Sequence, residues 1–321
     1  MLKPILLFIV GLVFLIKGGN WFVDGATGIA RRFGLPELLI GATVVSIGTT
    51  LPEVMVSANS ALGGHGEIAY GNAIGSVICN TALIAALTVA VKPSRVDRAA
   101  FRTPAFFFFA AAALYALVAY IGGFFSRTVG VVLLAIFVLY MTLTILQMKG
   151  GSAESAPEGE TETEKSLPAN LGLLVLGAAL IAVGADLLVD NGTLIAQALG
   201  VPESVIALTF VALGTSLPEL VTAITSLLKG HGALSLGNIV GANLLNLVLV
   251  SGLSVTLSPF GVPQSAMIAG RNASLVLEIP VMFAVMLILT VPALVRGELK
   301  RWQGVTLLAI YASFCTIQFM L

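Results

Sequence analysis

The chain has 321 residues, of which 58% are hydrophobic and only 10% charged, and its mean hydropathy is +1.03. A soluble domain keeps about a quarter of its residues charged, so a water-facing globular protein is excluded and an integral membrane protein is indicated. The formal net charge is zero, so the balance itself points to no partner, and no nucleic-acid partner is expected. Cys79 and Cys315 lie far apart within apolar stretches. Disulfides and metal sites want paired or clustered cysteines, so both read as buried thiols.

A hydrocarbon core takes about 20 apolar helical residues to cross. The chain divides into ten such segments, at 4–28, 36–62, 68–90, 101–121, 127–148, 168–198, 203–228, 233–256, 272–295 and 303–320. The first begins with the apolar run Leu2–Ile16 and continues through Gly18–Ala30 without a small-residue cleavage site, so it reads as a spanning helix and not a signal peptide. Gly, Pro and charge clusters separate the segments, as at Arg31-Arg32-Phe33-Gly34. Between the fifth and sixth lies the one long polar stretch, Gly150–Ser166, with five glutamates and one lysine. It is too polar to pack and reads as a flexible cytoplasmic linker. The expected domains are therefore 1–149, a linker at 150–167, and 168–321.

Basic residues orient this array. One side holds Lys3, Arg127 and Arg271. The other holds Arg31, Arg32, Lys92, Arg95, Arg98, Arg102, Lys149, Lys165, Lys229, Arg296, Lys300 and Arg301, a bias of 12 against 3 with Lys17 left inside the first span. The positive-inside rule assigns the larger group to the cytoplasm, which puts both termini outside.

An internal repeat is the strongest signal. At an offset of 166 residues, Pro36–Asn80 aligns with Pro202–Asn246 without a gap, with 19 of 45 positions identical. Gly48-Thr49-Thr50-Leu51-Pro52-Glu53 matches Gly214-Thr215-Ser216-Leu217-Pro218-Glu219. Gly71-Asn72-Ala73-Ile74-Gly75-Ser76 matches Gly237-Asn238-Ile239-Val240-Gly241-Ala242. The match extends to Asp24 with Asp190 and His65 with His231. Five spans per half is an odd number, so the second copy must enter the membrane inverted. That arrangement belongs to secondary transporters with a midplane site on broken helices. The fold class expected is an all-α membrane protein of two inverted five-helix repeats.

Glu53 and Glu219 fall deep in their spans, where a carboxylate costs several kcal/mol and is by default functional. Pro52 and Pro218 each withhold a hydrogen bond from the carbonyl four residues back, and the helix is expected to open there. Thr49, Thr50, Thr215 and Ser216 add hydroxyls on the same turn. Carboxylate, carbonyl and hydroxyl oxygens are the ligands of hard cations such as Ca²⁺. Ser76 and Asn80, spaced i, i+4, share one face of the next span, and Asn246 matches Asn80. Gly71, Gly75, Gly237 and Gly241 form small-xxx-small patterns that allow close helix approach. The plainer readings are that Asn80 and Asn246 only bridge helices, that His65 and His231 are loop residues, that Asp24, Asp186 and Asp190 pair structurally, and that Glu278 is structural, either approaching the interface or pairing with Arg271. No nucleophile–His pairing lies within the spans, so an enzyme is not expected.

At these motifs the chain resembles the cation/calcium exchanger superfamily, specifically the prokaryotic sodium/calcium exchangers, over essentially its full length. The resemblance implies exchange of Na⁺ against Ca²⁺ by alternating access, two long tilted helices (the first and sixth spans) sliding past an eight-helix core. It carries the cation ligands to Glu53, Thr49, Thr50, Ser76 and Asn80, and to Glu219, Thr215, Ser216 and Asn246, with backbone carbonyls at Ser46 and Ala212. It also implies a multi-pass protein of the inner (plasma) membrane, transporting Ca²⁺ and Na⁺ without a cofactor and working as a monomer. Two positions depart from the pattern: Asn246 stands where several members carry Asp, and Ala242 where many carry Ser. The first argues against potassium co-transport. The alternative is an H⁺/Ca²⁺ antiporter in which protons replace Na⁺ on the glutamates.

Overall fold

In lipid every backbone polar group must be satisfied internally, which leaves helices and closed barrels as spanning structures. The computed structural model, described for residues 2–150, 166–199, 214–264 and 266–320, takes the helical solution. The helices are α1 (Leu2–Arg32), α2 (Glu37–Leu62), α3 (Gly66–Val91), α4 (Arg98–Gly122), α5 (Arg127–Gly150), α6 (Leu167–Ala198), α7 (Leu217–Leu228), α8 (Gly232–Leu257), α9 (Ser274–Arg296) and α10 (Arg301–Met320). Among the described residues nine of these are long and apolar enough to cross a membrane. The shorter helix, α7, is the described part of the seventh expected segment, whose first residues lie outside the described set, as does most of the expected linker.

Burial separates centre from periphery. Within its most apolar window α8 is 83% buried, α3 67% and α2 56%, against 17% for α10 and 22% for α5. The repeat-bearing helices are therefore the core. Leu6, Phe106 and Val175 present apolar side chains outward from outer helices, as a lipid-facing surface requires.

Two-residue strand pairs clip the loops together. Ser94–Arg95 pairs with Glu298–Leu299, joining the loops after α3 and α9. Phe124–Phe125 pairs with Phe260–Gly261, joining the loops after α4 and α8. Each clip joins loops that a ten-span count puts on one side. A part-buried ion pair, Lys229 to Asp24 at 2.6 Å, and His231 Nδ1 to Glu37 Oε1 at 2.8 Å bind the α7–α8 turn to α1 and α2. Asp24 thus has the structural partner expected of it, whereas His231 is more than a loop residue.

At 31 and 32 residues, α1 and α6 are each about 47 Å long, more than a hydrocarbon core of about 30 Å needs, so they must tilt or protrude. They run antiparallel in backbone contact. A Cβ at Gly18 would lie 2.9 Å from the Gly177 carbonyl, one at Gly11 2.9 Å from the Gly184 carbonyl, and one at Gly25 2.6 Å from the Asn170 carbonyl.

The helix-packing glycines are unequal between the repeats. A Cβ at Gly237 would strike the Leu38 carbonyl, and one at Gly241 would sit 2.6 Å from the Ala42 Cα, so α8 packs onto α2 by backbone. A Cβ at Gly71 or Gly75 meets nothing within 4 Å. The close approach expected of all four holds for two, and the segment that would match Leu38 and Ala42 under the repeat, 204–208, is outside the described residues.

Two further expectations are corrected. Glu278 does not pair with Arg271: its carboxylate accepts from Ser274 Oγ at 2.7 Å and Gln318 Nε2 at 3.0 Å. The opened turn expected at Pro52 is absent, because Pro52 sits inside a continuous helix, Ser46–Leu62. Proline removes one bond of the ladder, and the neighbouring bonds carry the helix through. The widened π turn lies earlier, at Gly41–Val45. In the second repeat Pro218 does stand at a helix start, the second residue of α7 after the turn at Gly214–Ser216.

Gly177 and Gly172 lie on the same helix but differ in surroundings. A Cβ at Gly177 would strike the Phe22 backbone, and one at Gly172 meets nothing. Gly177→Ala is expected to destabilise the protein by about 1–3 kcal/mol through overpacking, while Gly172→Ala is neutral or stabilises by up to about 1 kcal/mol. Thermal unfolding of the two detergent-purified variants measures the contrast.

Candidate functional site

The two Thr-containing motifs meet at the centre of the core helices. Glu53 on α2 and Glu219 on α7 are both 0% exposed, and α2 and α7 touch one another. The carboxyl groups are close enough that Glu219 acts electrostatically on Glu53, and the Thr49 and Thr50 side chains of α2 come near Glu219. The described ion pairs are Lys229–Asp24, His231–Glu37 and Lys300–Glu298, and neither glutamate belongs to any.

The helices that follow supply amides. Asn80 begins a π turn, Asn80–Ala85, inside α3, and Asn246 begins the matching π turn, Asn246–Val250, inside α8. Single π turns concentrate at functional sites. The packing is crossed. The Asn246 turn lies against the helix that carries Glu53, and the Asn80 turn lies against the helix that carries Glu219.

Buried polar atoms are nearly always hydrogen-bonded, so the exceptions are informative. Of nineteen buried side-chain polar atoms without a partner among the described residues, ten belong to Thr50, Glu53, Asn80, Ser216, Glu219 and Asn246. All six are expected site residues. Of the others, Ser46 is buried and donates to the Thr43 carbonyl at 3.1 Å, Ser76 is buried, and Thr215 is half-buried. Ala212 lies outside the described residues. A narrow cavity beside this cluster is lined by Pro52, Pro218, Gly48 and Thr49 from the core, and by Phe22 of α1 and Ala178, Ile181 and Ala182 of α6. The two long helices therefore form the outer wall next to the motifs. Cys79 is buried at the end of the first π-turn approach and Cys315 is half-buried; both are free thiols.

Two residues not singled out as ligands or partners tie the repeats together. Thr49 Oγ1 donates to Asn238 Oδ1 at 3.1 Å, and Thr215 Oγ1 donates to Asn72 Oδ1 at 3.3 Å. Asn72 Nδ2 donates to Ser57 Oγ at 2.8 Å and to the Glu53 carbonyl at 3.4 Å. The signal was present in the matched Gly-Asn pairs at 71–72 and 237–238. Which residue each amide meets depends on the crossing of the halves, which no local pattern contains.

The fold and the apolar helices define a multi-pass membrane protein. A sodium/calcium exchanger family model matches residues 3–146 and 169–320, and the chain belongs to that family. It is 35% identical over 310 residues to an uncharacterized membrane protein, MJ0091, of Methanocaldococcus jannaschii, covering 95% of this chain and 94% of that one. It is 29% identical to the sodium/calcium exchanger MaX1 of Methanosarcina acetivorans, over 98% of each chain. Among solved structures, the sodium-calcium exchanger NCX_Mj soaked with Na⁺ and Sr²⁺ superposes with a TM-score of 0.82 at 31% identity, over 97% of each chain. Members of this family exchange cations across a membrane, which in a prokaryotic cell is the plasma membrane.

Two buried carboxyl groups without a protein cation nearby should respond to added cations. Ca²⁺ at a hundredfold excess over its Kd is expected to stabilise the protein by about 2.7 kcal/mol. Glu53→Gln and Glu219→Gln are each expected to remove most of that gain. Thermal unfolding with and without Ca²⁺ measures it.

Proposed function

We propose that this protein is a secondary active antiporter that exchanges Na⁺ for Ca²⁺ by alternating access and serves to extrude Ca²⁺. The observation that carries the reading is the carboxyl pair, Glu53 and Glu219, buried together and, among the described residues, without a cationic partner and surrounded by orphaned hydroxyl and amide atoms. Glu53, Thr49, Thr50, Ser76 and Asn80 from one repeat, with Glu219, Thr215, Ser216 and Asn246 from the other, are the proposed cation ligands. Ser46 and Ala212 contribute backbone carbonyls. Hard cations take oxygen ligands of these kinds. Two carboxylates balance one Ca²⁺, whereas three Na⁺ leave one net positive charge, so a 3:1 exchange would be electrogenic.

The two halves, 1–149 and 168–321, act in this reading as inverted repeats joined by a cytoplasmic linker at 150–167, with both termini outside. Matched π turns at Asn80 and Asn246 support a common local design. The bias of basic residues supports the orientation. All proposed ligands come from one chain, which supports a monomer as the working unit. Family membership and the likeness to MaX1 and NCX_Mj support Na⁺ as the counter-ion.

Reconstituted into vesicles, the protein is expected to take up Ca²⁺ when an outward Na⁺ gradient is imposed, and to do so faster when the potential favours Na⁺ exit. Uptake driven by a pH gradient with no Na⁺ present, and none by the Na⁺ gradient, would establish H⁺/Ca²⁺ antiport in its place. Glu53→Gln and Glu219→Gln are each expected to lower Na⁺-driven uptake to the rate of protein-free vesicles. Wild-type uptake in either variant would remove that glutamate from the site.

A further inference from the structure

The hydrogen bonds between the repeats support one further step, which rests on reading Thr49 and Thr215 as cation ligands. A threonine hydroxyl has one proton and two lone pairs. To serve a cation it must present a lone pair and send the proton elsewhere. Left to itself beside a buried carboxylate, as Thr49 is beside Glu219, the proton would turn toward that carboxylate and occupy charge that the cation needs.

The structure offers other acceptors: Thr49 Oγ1 lies 3.4 Å from the Ser46 carbonyl, at the long limit of a hydrogen bond, and an asparagine of the opposite repeat is the nearer acceptor. Thr49 Oγ1 donates to Asn238 Oδ1 at 3.1 Å, and Thr215 Oγ1 donates to Asn72 Oδ1 at 3.3 Å. Thr49 and Thr215 match at the 166-residue offset, and so do Asn72 and Asn238. The same geometry therefore occurs twice, each time between a threonine of one repeat and an asparagine of the other. We propose that Asn72 and Asn238 are positioning residues: each takes the hydroxyl proton of the opposite repeat's threonine and so turns that oxygen's lone pairs to the cation.

The two instances are unequally braced. Asn72 is held from behind by Ser57 and the Glu53 carbonyl. The residue matching Ser57 is Ala223, and Asn238 Nδ2 is buried without a partner among the described residues. Asn238 therefore depends on its Thr49 bond more than Asn72 depends on Thr215.

Double-mutant cycles test this on the full chain, with radioactive Ca²⁺ binding to detergent-purified protein as the primary readout and Na⁺-driven uptake in vesicles as the second. Asn238→Ala and Thr49→Val are each expected to weaken Ca²⁺ binding about fivefold, as loss of one hydrogen bond does. The double variant should be no weaker than either single one. Asn72→Ala with Thr215→Val should behave likewise, while the uncrossed pair Asn72→Ala with Thr49→Val should multiply. Asn238→Asp keeps the acceptor oxygen and should retain binding that Thr49→Val weakens; it also serves if Asn238→Ala does not fold. Multiplicative losses in both crossed pairs would overturn the proposal, since a merely structural asparagine acts independently of the hydroxyl. Wild-type protein that binds Ca²⁺ but takes up none under a Na⁺ gradient would reject the exchange reading alone, and the binding cycle would still decide the role of the asparagines.

Discussion

Two carboxyl groups held together in a lipid-embedded interior, with no lysine or arginine paired to them among the described residues, constrain everything placed around them. Burial of an ion costs several kcal/mol even after the surroundings relax. A chain that carries two, in register, at the most buried crossing of its helices accepts that cost where a pair of leucines would pack for nothing. The surrounding features follow. The amides of Asn80 and Asn246 sit at matched π turns, and the hydroxyls of Thr50 and Ser216 stay without partners among the described residues. The most buried helices, α8, α3 and α2, are those that carry the motifs. Stability alone would have satisfied these groups among themselves.

Much of this was legible in the sequence because it lies in quantities that local patterns record. Apolar runs of spanning length marked the helices to within a few residues, as with the expected 36–62 against Glu37–Leu62 and 233–256 against Gly232–Leu257. Glu beside Pro, twice at one offset, marks the two carboxyl groups that the fold buries completely. Other features depended on which element lies opposite which. Gly237 and Gly71 occupy matched positions, yet only Gly237 lies under another backbone. Arg271 is seven residues from Glu278 and looked a natural partner, but Ser274 is one turn away and Gln318 reaches it from α10. The effect of Pro52 was misjudged for a related reason: one missing hydrogen bond is less than the cooperative ladder around it, and the helix relaxes instead at Gly41–Val45.

The two halves share a plan and differ in detail. Ser57 braces Asn72, while its counterpart is Ala223. Ser76 has Ala242 opposite it in the alignment. Lys229 ties the α7–α8 turn to Asp24 and the Asn20 carbonyl, and the position matching Lys229 in the first repeat is Gly63. The Ser57 and Lys229 contacts each belong to one half only.

The antiparallel contact of α1 and α6 has a mechanical meaning. Gly11 meets Gly184, Gly18 meets Gly177, and Gly25 meets Asn170, three fixed points spread over about 21 Å of helix. Three points of backbone contact fix register and crossing angle together, so the helices form one stiff beam and not two independent rods. Any displacement of α1 against the core therefore carries α6 with it, as one body.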